Sequence, residues 1–182
     1  KIDIIIITLI DNGFYEADLK KNGIKIFSLG ISRKKDYFEL FKKILKFRKY
    51  VLKNKPDIIQ SWMYHADLVS TLALLLSGRI RKTRLYWGVR CSDMDTSKYR
   101  VTLRIAIWAC SWLSWVPHGI IANSFAGMQV HKDLGYASEK FFVIPNGVDA
   151  ERFSPDARLR EEVRSELDIP DDAFAVAMVA RR

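Results

Sequence analysis

The sequence predicts an α/β fold, an open parallel sheet with helices on both faces. Three observations carry that expectation. Short apolar runs rich in β-branched and aromatic residues alternate with longer segments of helical period, as in strand–helix–strand units. Gly23, Gly78 and Gly135 stand where the helical segments should stop, as helix C-terminal caps do. The chain has 182 residues, 49% of them hydrophobic, enough for one well-packed domain or one domain with a piece of another.

The first strand is expected at Ile2 to Leu9, a nearly continuous isoleucine run, followed by a short helix at about Glu16 to Lys21 that Gly23 ends. Ile24 to Ser28 is a second apolar run. The segment Tyr37 to Lys53 then reads as a long helix, with Phe38, Phe41, Leu45, Val51 and Leu52 as its apolar side. Strands are placed at Asp57 to Trp62 and Thr83 to Trp87, around a helix at Asp67 to Leu76. A helix at Lys98 to Trp115 leads to a strand at Gly119 to Asn123, and a helix at Ala126 to Leu134 leads to one at Phe141 to Ile144. Asp156 to Leu167 is the last helix and Phe174 to Val179 the last strand.

Charge is unevenly spread. Residues 1 to 90 hold 19 Lys plus Arg against 8 Asp plus Glu, a net +11, whereas residues 91 to 182 carry −2, for +9 overall. A basic face of this kind serves nucleic acid, an anionic membrane surface or a phosphorylated substrate. No nucleic-acid recognition motif accompanies the charge, so that partner is not expected. The basic residues concentrate between Arg33 and Lys55, ten of them against Asp36 and Glu39. Two readings stay open there: peripheral contact with anionic lipid, or a surface helix packing its apolar stripe while lysines solvate the other face. Trp108, Trp112 and Trp115, about a helical turn apart, fit either an aromatic core or a lipid interface.

Cys91 and Cys110 lack metal-like spacing, and no secretory signal precedes them, so the cytoplasm is the expected compartment and no metal site is expected. The longest apolar stretch, Ile105 to Val116, is shorter than the roughly 20 residues that span a bilayer. The chain starts at Lys1 and its final apolar run stops with the chain, as an excerpt of a longer protein would.

In an open parallel sheet, ligands bind at the carboxyl ends of the strands, so function is sought there. His65 follows the strand ending at Trp62; its imidazole either faces the crevice, suited to proton or phosphate chemistry, or bonds local backbone at a helix start. Arg90 leaves the next strand after Gly88, whose missing Cβ allows close approach. Its guanidinium either grips a phosphate or carboxylate or pairs with Asp93 or Asp95. Asn123 and Ser124 close a further strand, with Ser124 placed to cap the following helix or to touch an acceptor.

The string Phe142-Val143-Ile144-Pro145-Asn146-Gly147-Val148-Asp149, succeeded by Phe153-Ser154-Pro155, stops an apolar strand at turn-forming residues. Pro145 removes an N–H, Asn146-Gly147 tolerates positive φ, and Asp149 can cap the next turn of chain. This string closely resembles the interdomain linker of family-four (group 1) glycosyltransferases. The Ile121 to Ser124 strand end, Leu134-Gly135-Tyr136 and the run Arg164 to Pro170 support the resemblance, which extends over nearly the whole chain.

The resemblance implies the N-terminal half of a GT-B fold: an acceptor-side Rossmann-like domain at residues 1–145 lacking its first strand, a linker and helix at 146–172, and the first strand of a truncated donor domain at 173–182. It implies retaining transfer of a sugar from a nucleotide-sugar donor to a cell-envelope glycan or lipid-linked acceptor, without a bound metal or other cofactor. Contact with the inner face of the membrane is a further expectation. Family members carry a histidine matching His65 near the transferred sugar, and Val179-Ala180-Arg181 matches the segment whose arginine contacts the donor diphosphate, with Ala180 in place of the usual glycine. Arg90, Asn123 and Ser124 become candidates for acceptor or phosphate contact, and Asn146, Gly147 and Asp149 the linker. The donor domain's paired glutamates are absent, so this chain alone is expected to be inactive. A non-enzymatic Rossmann-like binding module stays open as the second reading.

Overall fold

The structure is a computed structural model describing residues 2–11, 13–31 and 37–178. The chain forms two compact units, Lys1–Pro145 and Asn146–Arg182. In the first, β1 (Ile5–Thr8) pairs in parallel with β2 (Lys25–Ser28), and β3 (Ile58–Trp62), β4 (Arg84–Val89), β5 (Gly119–Ala122) and β6 (Phe141–Val143) form a second parallel sheet in that order. The helices are α1 (Glu16–Lys21), α2 (Tyr37–Asn54), α3 (Tyr64–Leu76), α4 (Val101–Leu113) and α5 (Phe125–Asp133). This is the α/β, Rossmann-like arrangement that the alternation predicts, with helices on both faces. The one sheet of the expectation is two ladders, because β2 and β3, the strands that flank α2, do not pair with each other.

Burial explains why the central strands read as unbroken apolar runs. Leu85, Trp87 and Val89 of β4 and Ile120 and Ala122 of β5 are fully or nearly fully enclosed, packed with Ala73 and Leu74 of α3 and Ile107 and Cys110 of α4. The buried Trp87 Nε1 donates to Thr71 Oγ1 at 3.1 Å, so its polar edge is satisfied inside the core. Gly23, Gly78 and Gly135 take φ of 73°, 66° and 88°, the left-handed region that succeeds a helix.

Several expectations change. The stripe that α2 buries is Ile44, Phe47 and Val51, with Leu40 and Tyr50 beside it, while Phe38, Phe41 and Leu52 are exposed. Positions 40, 44, 47 and 51 follow the i, i+4, i+7 rule, and Phe41 lies off that line. α3 begins at Tyr64 rather than Asp67, so His65 lies inside its first turn. Trp108, Trp112 and Trp115 are exposed; Ala106, Ile107 and Cys110 form the buried side of α4.

The second unit holds α6 (Ala157–Glu166), capped by Asp156, whose Oδ1 accepts from Leu159 N at 3.0 Å. The Arg164 guanidinium is buried and donates to the carbonyl oxygens of Pro170 and, at 3.0 Å, Ala173, which fixes the chain beyond the helix. Phe174 to Met178, expected as a strand, makes no ladder among the described residues, and a strand exists only where its N–H and C=O groups find partners. Val179, Ala180 and Arg181 lie outside the described residues.

Candidate functional site

Register places the strand ends in one row. Trp62 stands opposite Gly88, Val89 opposite Ala122, and Ala122 opposite Val143. In a parallel sheet those residues share one edge, and the chain leaves it at Met63, Arg90, Asn123 and Ile144. A niche of about 30 Å³ opens there, lined by Gln60, Trp62, Gly88, Arg90, Asn123 and Ile144 among others. It has room for about one water, so it is the floor of a binding edge rather than an enclosed pocket.

Met63 turns the chain sharply at this edge. Its φ of 72° and ψ of 153° fall in a region that only glycine adopts freely, at a cost of about 1–3 kcal/mol. Both its backbone groups are held: its N–H donates to Gly88 O at 3.0 Å, and its O accepts from Asp67 N at 3.0 Å. The turn starts α3 immediately after β3, with Tyr64 buried and His65 exposed.

His65 makes no hydrogen bond to backbone among the described residues, unlike the helix-start alternative. The imidazole is solvent-accessible, yet atoms crowding its inner side partly desolvate it and lower its pKa from the ordinary value. It is therefore neutral at pH 7, with one nitrogen to donate and one to accept.

Arg90 stacks over Trp62, its Cζ 5.9 Å from the ring centroid. The space above Gly88 is filled by that indole: a Cβ on Gly88 would fall 2.2 Å from Trp62 Cδ1. The glycine thus seats Trp62, where the sequence suggested a ligand or backbone. Asp95, a candidate partner for Arg90, instead accepts from Ser97 Oγ and Ser97 N and pairs with Lys98 at 3.0 Å. Those bonds, the Ser97 hydroxyl foremost, hold its carboxyl below the usual range.

Asn123 Oδ1 is buried and has no hydrogen-bond partner among the described residues, leaving an acceptor uncommitted at the niche. Ser124 Oγ is committed: it accepts from Gly127 N at 3.0 Å and caps α5. In the linker, Asn146, Gly147 and Asp149 are exposed, and Asp149 Oδ1 accepts from Arg152 N at 3.0 Å. Neither Asn146 nor Gly147 adopts positive φ, because Pro145 and the Asp149 turn redirect the chain without it. Among the described residues no group of His, Cys, Asp or Glu converges as metal ligands would. Likewise, no helix among them is long and apolar enough to cross a membrane.

Beneath this edge lies a buried polar cluster that sequence reading missed. Asp67 is fully buried; Ser61 Oγ donates to its Oδ1 at 2.6 Å and its Oδ2 has no partner among the described residues. Burial pushes its pKa up to about 8, only partly offset by the Ser61 bond, so the carboxyl is mostly protonated at pH 7. His131 is also fully buried, and burial lowers its pKa. Its Nδ1 lies 2.6 Å from Gly127 O, which can only accept, so Nδ1 carries the proton and Nε2 accepts from Tyr64 OH at 2.9 Å. The Met94 sulfur, 3.1 Å from the same hydroxyl, is then a contact without a proton. The available signal was Asp67 as the sole fixed charge between Tyr64 and Leu76, in a helix otherwise made of apolar and small polar residues.

The edge thus presents an aromatic plane, a guanidinium, a neutral imidazole and an uncommitted amide oxygen. Together these can stack on a ring, neutralise a phosphate and bond hydroxyl groups.

Comparison with known proteins extends this description. The family model described as Glycosyltransferase Family 4 matches residues 1–152. No curated protein matches the chain. Among solved structures, Anabaena Alr3699/HepE in complex with UDP is similar at a TM-score of 0.70 and 17% identity, over 90% of this chain and 42% of that one. A glycosyltransferase from Rickettsia africae ESF-5 is similar at 0.61 and 17% identity, over 92% and 42%. A UDP-N-acetylglucosamine 2-epimerase from Rickettsia bellii is similar at 0.54 and 18% identity, over 91% and 44%. The chain therefore spans less than half the length of the structures it matches.

Proposed function

Because the chain belongs to Glycosyltransferase Family 4, we propose that it forms the acceptor-side part of an enzyme that moves a sugar from a nucleotide-sugar to a cell-envelope glycan or lipid-linked acceptor. The observation that carries this reading is that the family match spans the whole row of strand ends, from Trp62 through Arg90 to Asn123, together with His65 in the first turn of α3. UDP and UDP-glucose accompany the solved HepE structures, and a lipopolysaccharide outer core galactosyltransferase, WaaB, has a similar fold at a TM-score of 0.53 and 17% identity. These favour a uridine nucleotide-sugar and an envelope acceptor. The epimerase shares the fold, so the family match rather than the architecture favours transfer.

In the proposed reaction the bond from the anomeric carbon to the diphosphate breaks and a bond to an acceptor oxygen forms on the same face, with retention. The acceptor proton leaves with the phosphate. His65, neutral and accessible, holds a hydroxyl of the sugar or acceptor. Arg90 meets phosphate from its seat on Trp62, Asn123 accepts from a hydroxyl, and Ser124 serves the edge by capping α5. Arg181 contacts the leaving diphosphate, whose charge helix N-termini also stabilise. No metal or other cofactor enters these steps.

The test is a panel of nucleotide-sugars with the intact protein that carries this chain. Nucleoside diphosphate release that requires added acceptor supports transfer. Release without acceptor, accompanied by an epimerised sugar, supports an epimerase, and binding without release supports a binding module.

A further inference from the structure

The chain exits of three neighbouring strands, β3, β4 and β5, meet on one buried hydroxyl. After β3, Tyr64 opens α3 with its ring turned inward, 1% exposed. After β4, Cys91 and Met94 approach the Tyr64 hydroxyl, Met94 Sδ at 3.1 Å. After β5, α5 brings the fully buried His131, whose Nε2 accepts from the same hydroxyl at 2.9 Å. The other nitrogen of His131 donates to Gly127 O in the first turn of α5, so the imidazole spans from the start of α3 to the start of α5. Gly127 is also where α5 meets the β4 exit: a Cβ there would fall 3.1 Å from Cys91 O.

The His131 ring is held by aromatic neighbours as well. Tyr136 meets it edge-on at 5.2 Å between centroids, and the Tyr64 ring lies nearly parallel to it at 5.8 Å. A buried polar pair costs desolvation that two apolar side chains would avoid, and when fully bonded it fixes one geometry. The geometry fixed here is that of His65, the residue after Tyr64. Asp67, two positions further on, is held to β3 by Ser61 Oγ at 2.6 Å, so His65 is bracketed by two buried anchors. The bracket matters because Met63, just before it, holds a φ of 72° that persists only while its surroundings enforce it.

We propose that His131 is a positioning residue for His65: through the Tyr64 hydroxyl it ties the first turn of α3 to the first turn of α5, and so sets where the His65 imidazole stands at the strand-end edge. α5 is itself seated by the Ser124 cap, so the tie runs to a fixed frame. His131 acts only through its neighbours, being fully buried. The proposal rests on the role given to His65 in the transfer reaction. A histidine that merely filled the core could give way to phenylalanine; one that positions His65 could not.

The test uses the intact protein that carries this chain and the variants Tyr64→Phe, His131→Phe and the two combined, each of which keeps an aromatic ring at both positions. Two quantities are read. One is kcat for acceptor-dependent nucleoside diphosphate release, measured well below Tm. The other is hydrogen exchange at the Asp67 and Gly127 amides, which report the first turns of α3 and α5. Each single variant should lower kcat by about fivefold or more, and the double variant no further. In a His65→Ala background, His131→Phe should change kcat by less than about twofold. Exchange should quicken at the far turn in each case, at Gly127 for Tyr64→Phe and at Asp67 for His131→Phe. A lowered Tm with kcat equal to the parent's overturns the proposal, as does an equal loss from His131→Phe with and without His65. A parent that transfers no sugar sinks the transfer reading instead; exchange at the far turns then decides the tie, upheld if it quickens and overturned if it does not.

Discussion

Asp67 sets a pH dependence that can be worked out from its surroundings. Its carboxyl is fully buried and accepts from Ser61 Oγ, and burial raises its folded pKa to about 8, far above the ordinary carboxylate value. The folded state therefore holds a proton that the unfolded chain releases above about pH 4. The resulting stability is complete below that pH and drains away as pH rises towards 8. His131 acts in the opposite direction. Its folded pKa is lowered, so its contribution is present above about pH 6.5 and is lost as pH falls through the folded value. The two windows overlap, and Asp67→Asn separates them. That variant should remove the loss on the alkaline side and leave the His131 loss on the acid side, read as Tm against pH. A Tm profile of the variant that still falls from pH 5 to 8 as steeply as the parent's would contradict the assignment.

At the scale of elements, two contacts hold the edge in place. Ser124 caps α5 through Gly127 N, and Ser124→Ala should lower stability by about 1 kcal/mol in urea titration, with the fold intact. Gly88 leaves room for Trp62, and a methyl there would overlap the indole and approach Ser61 O at 3.1 Å. Gly88→Ala should therefore cost about 1–3 kcal/mol and displace Trp62 from Arg90, visible as a change in near-ultraviolet circular dichroism. A spectrum and stability equal to the parent's would mean that the close approach of Trp62 to Gly88 is not maintained.

Most elements were legible in the sequence because they keep one period throughout. The Ile-rich strand at Ile5–Thr8, α1 at Glu16–Lys21 and the three glycine stops needed only local rules. The features that local rules missed depend on neighbours distant in sequence. α2 offers two apolar lines, and only packing decides that Ile44, Phe47 and Val51 are buried while Phe41 is exposed. Trp108, Trp112 and Trp115 fitted either a core or an interface by type, and only the structure shows that they are exposed. α3 starts early because Met63 accepts a glycine-like conformation, which no propensity foretells. The candidates His65, Arg90 and Asn123 were proposed from their place after strands, and the structure puts them just after β3, β4 and β5. His131 was missed because its role arises from a contact across 67 positions, with Tyr64, and Asp67 because its burial depends on packing that local rules do not give, although its partner Ser61 is only six positions away.

For the whole molecule, the first unit builds one strand-end edge. The second unit, taken by itself, exposes Leu159, Val163, Leu167 and Phe174, so α6 and the segment after it form no core of their own. The family match shows the family, and under the proposed reading the strand-end edge is where this part of the enzyme meets substrate. The most direct measurement is acceptor-dependent nucleoside diphosphate release by the intact protein, comparing His65→Ala with the parent. The account predicts a fall in kcat of more than about tenfold, with Tm unchanged because the side chain is exposed and makes no hydrogen bond within the described chain. Near-normal transfer by His65→Ala would contradict the placement of substrate at this edge.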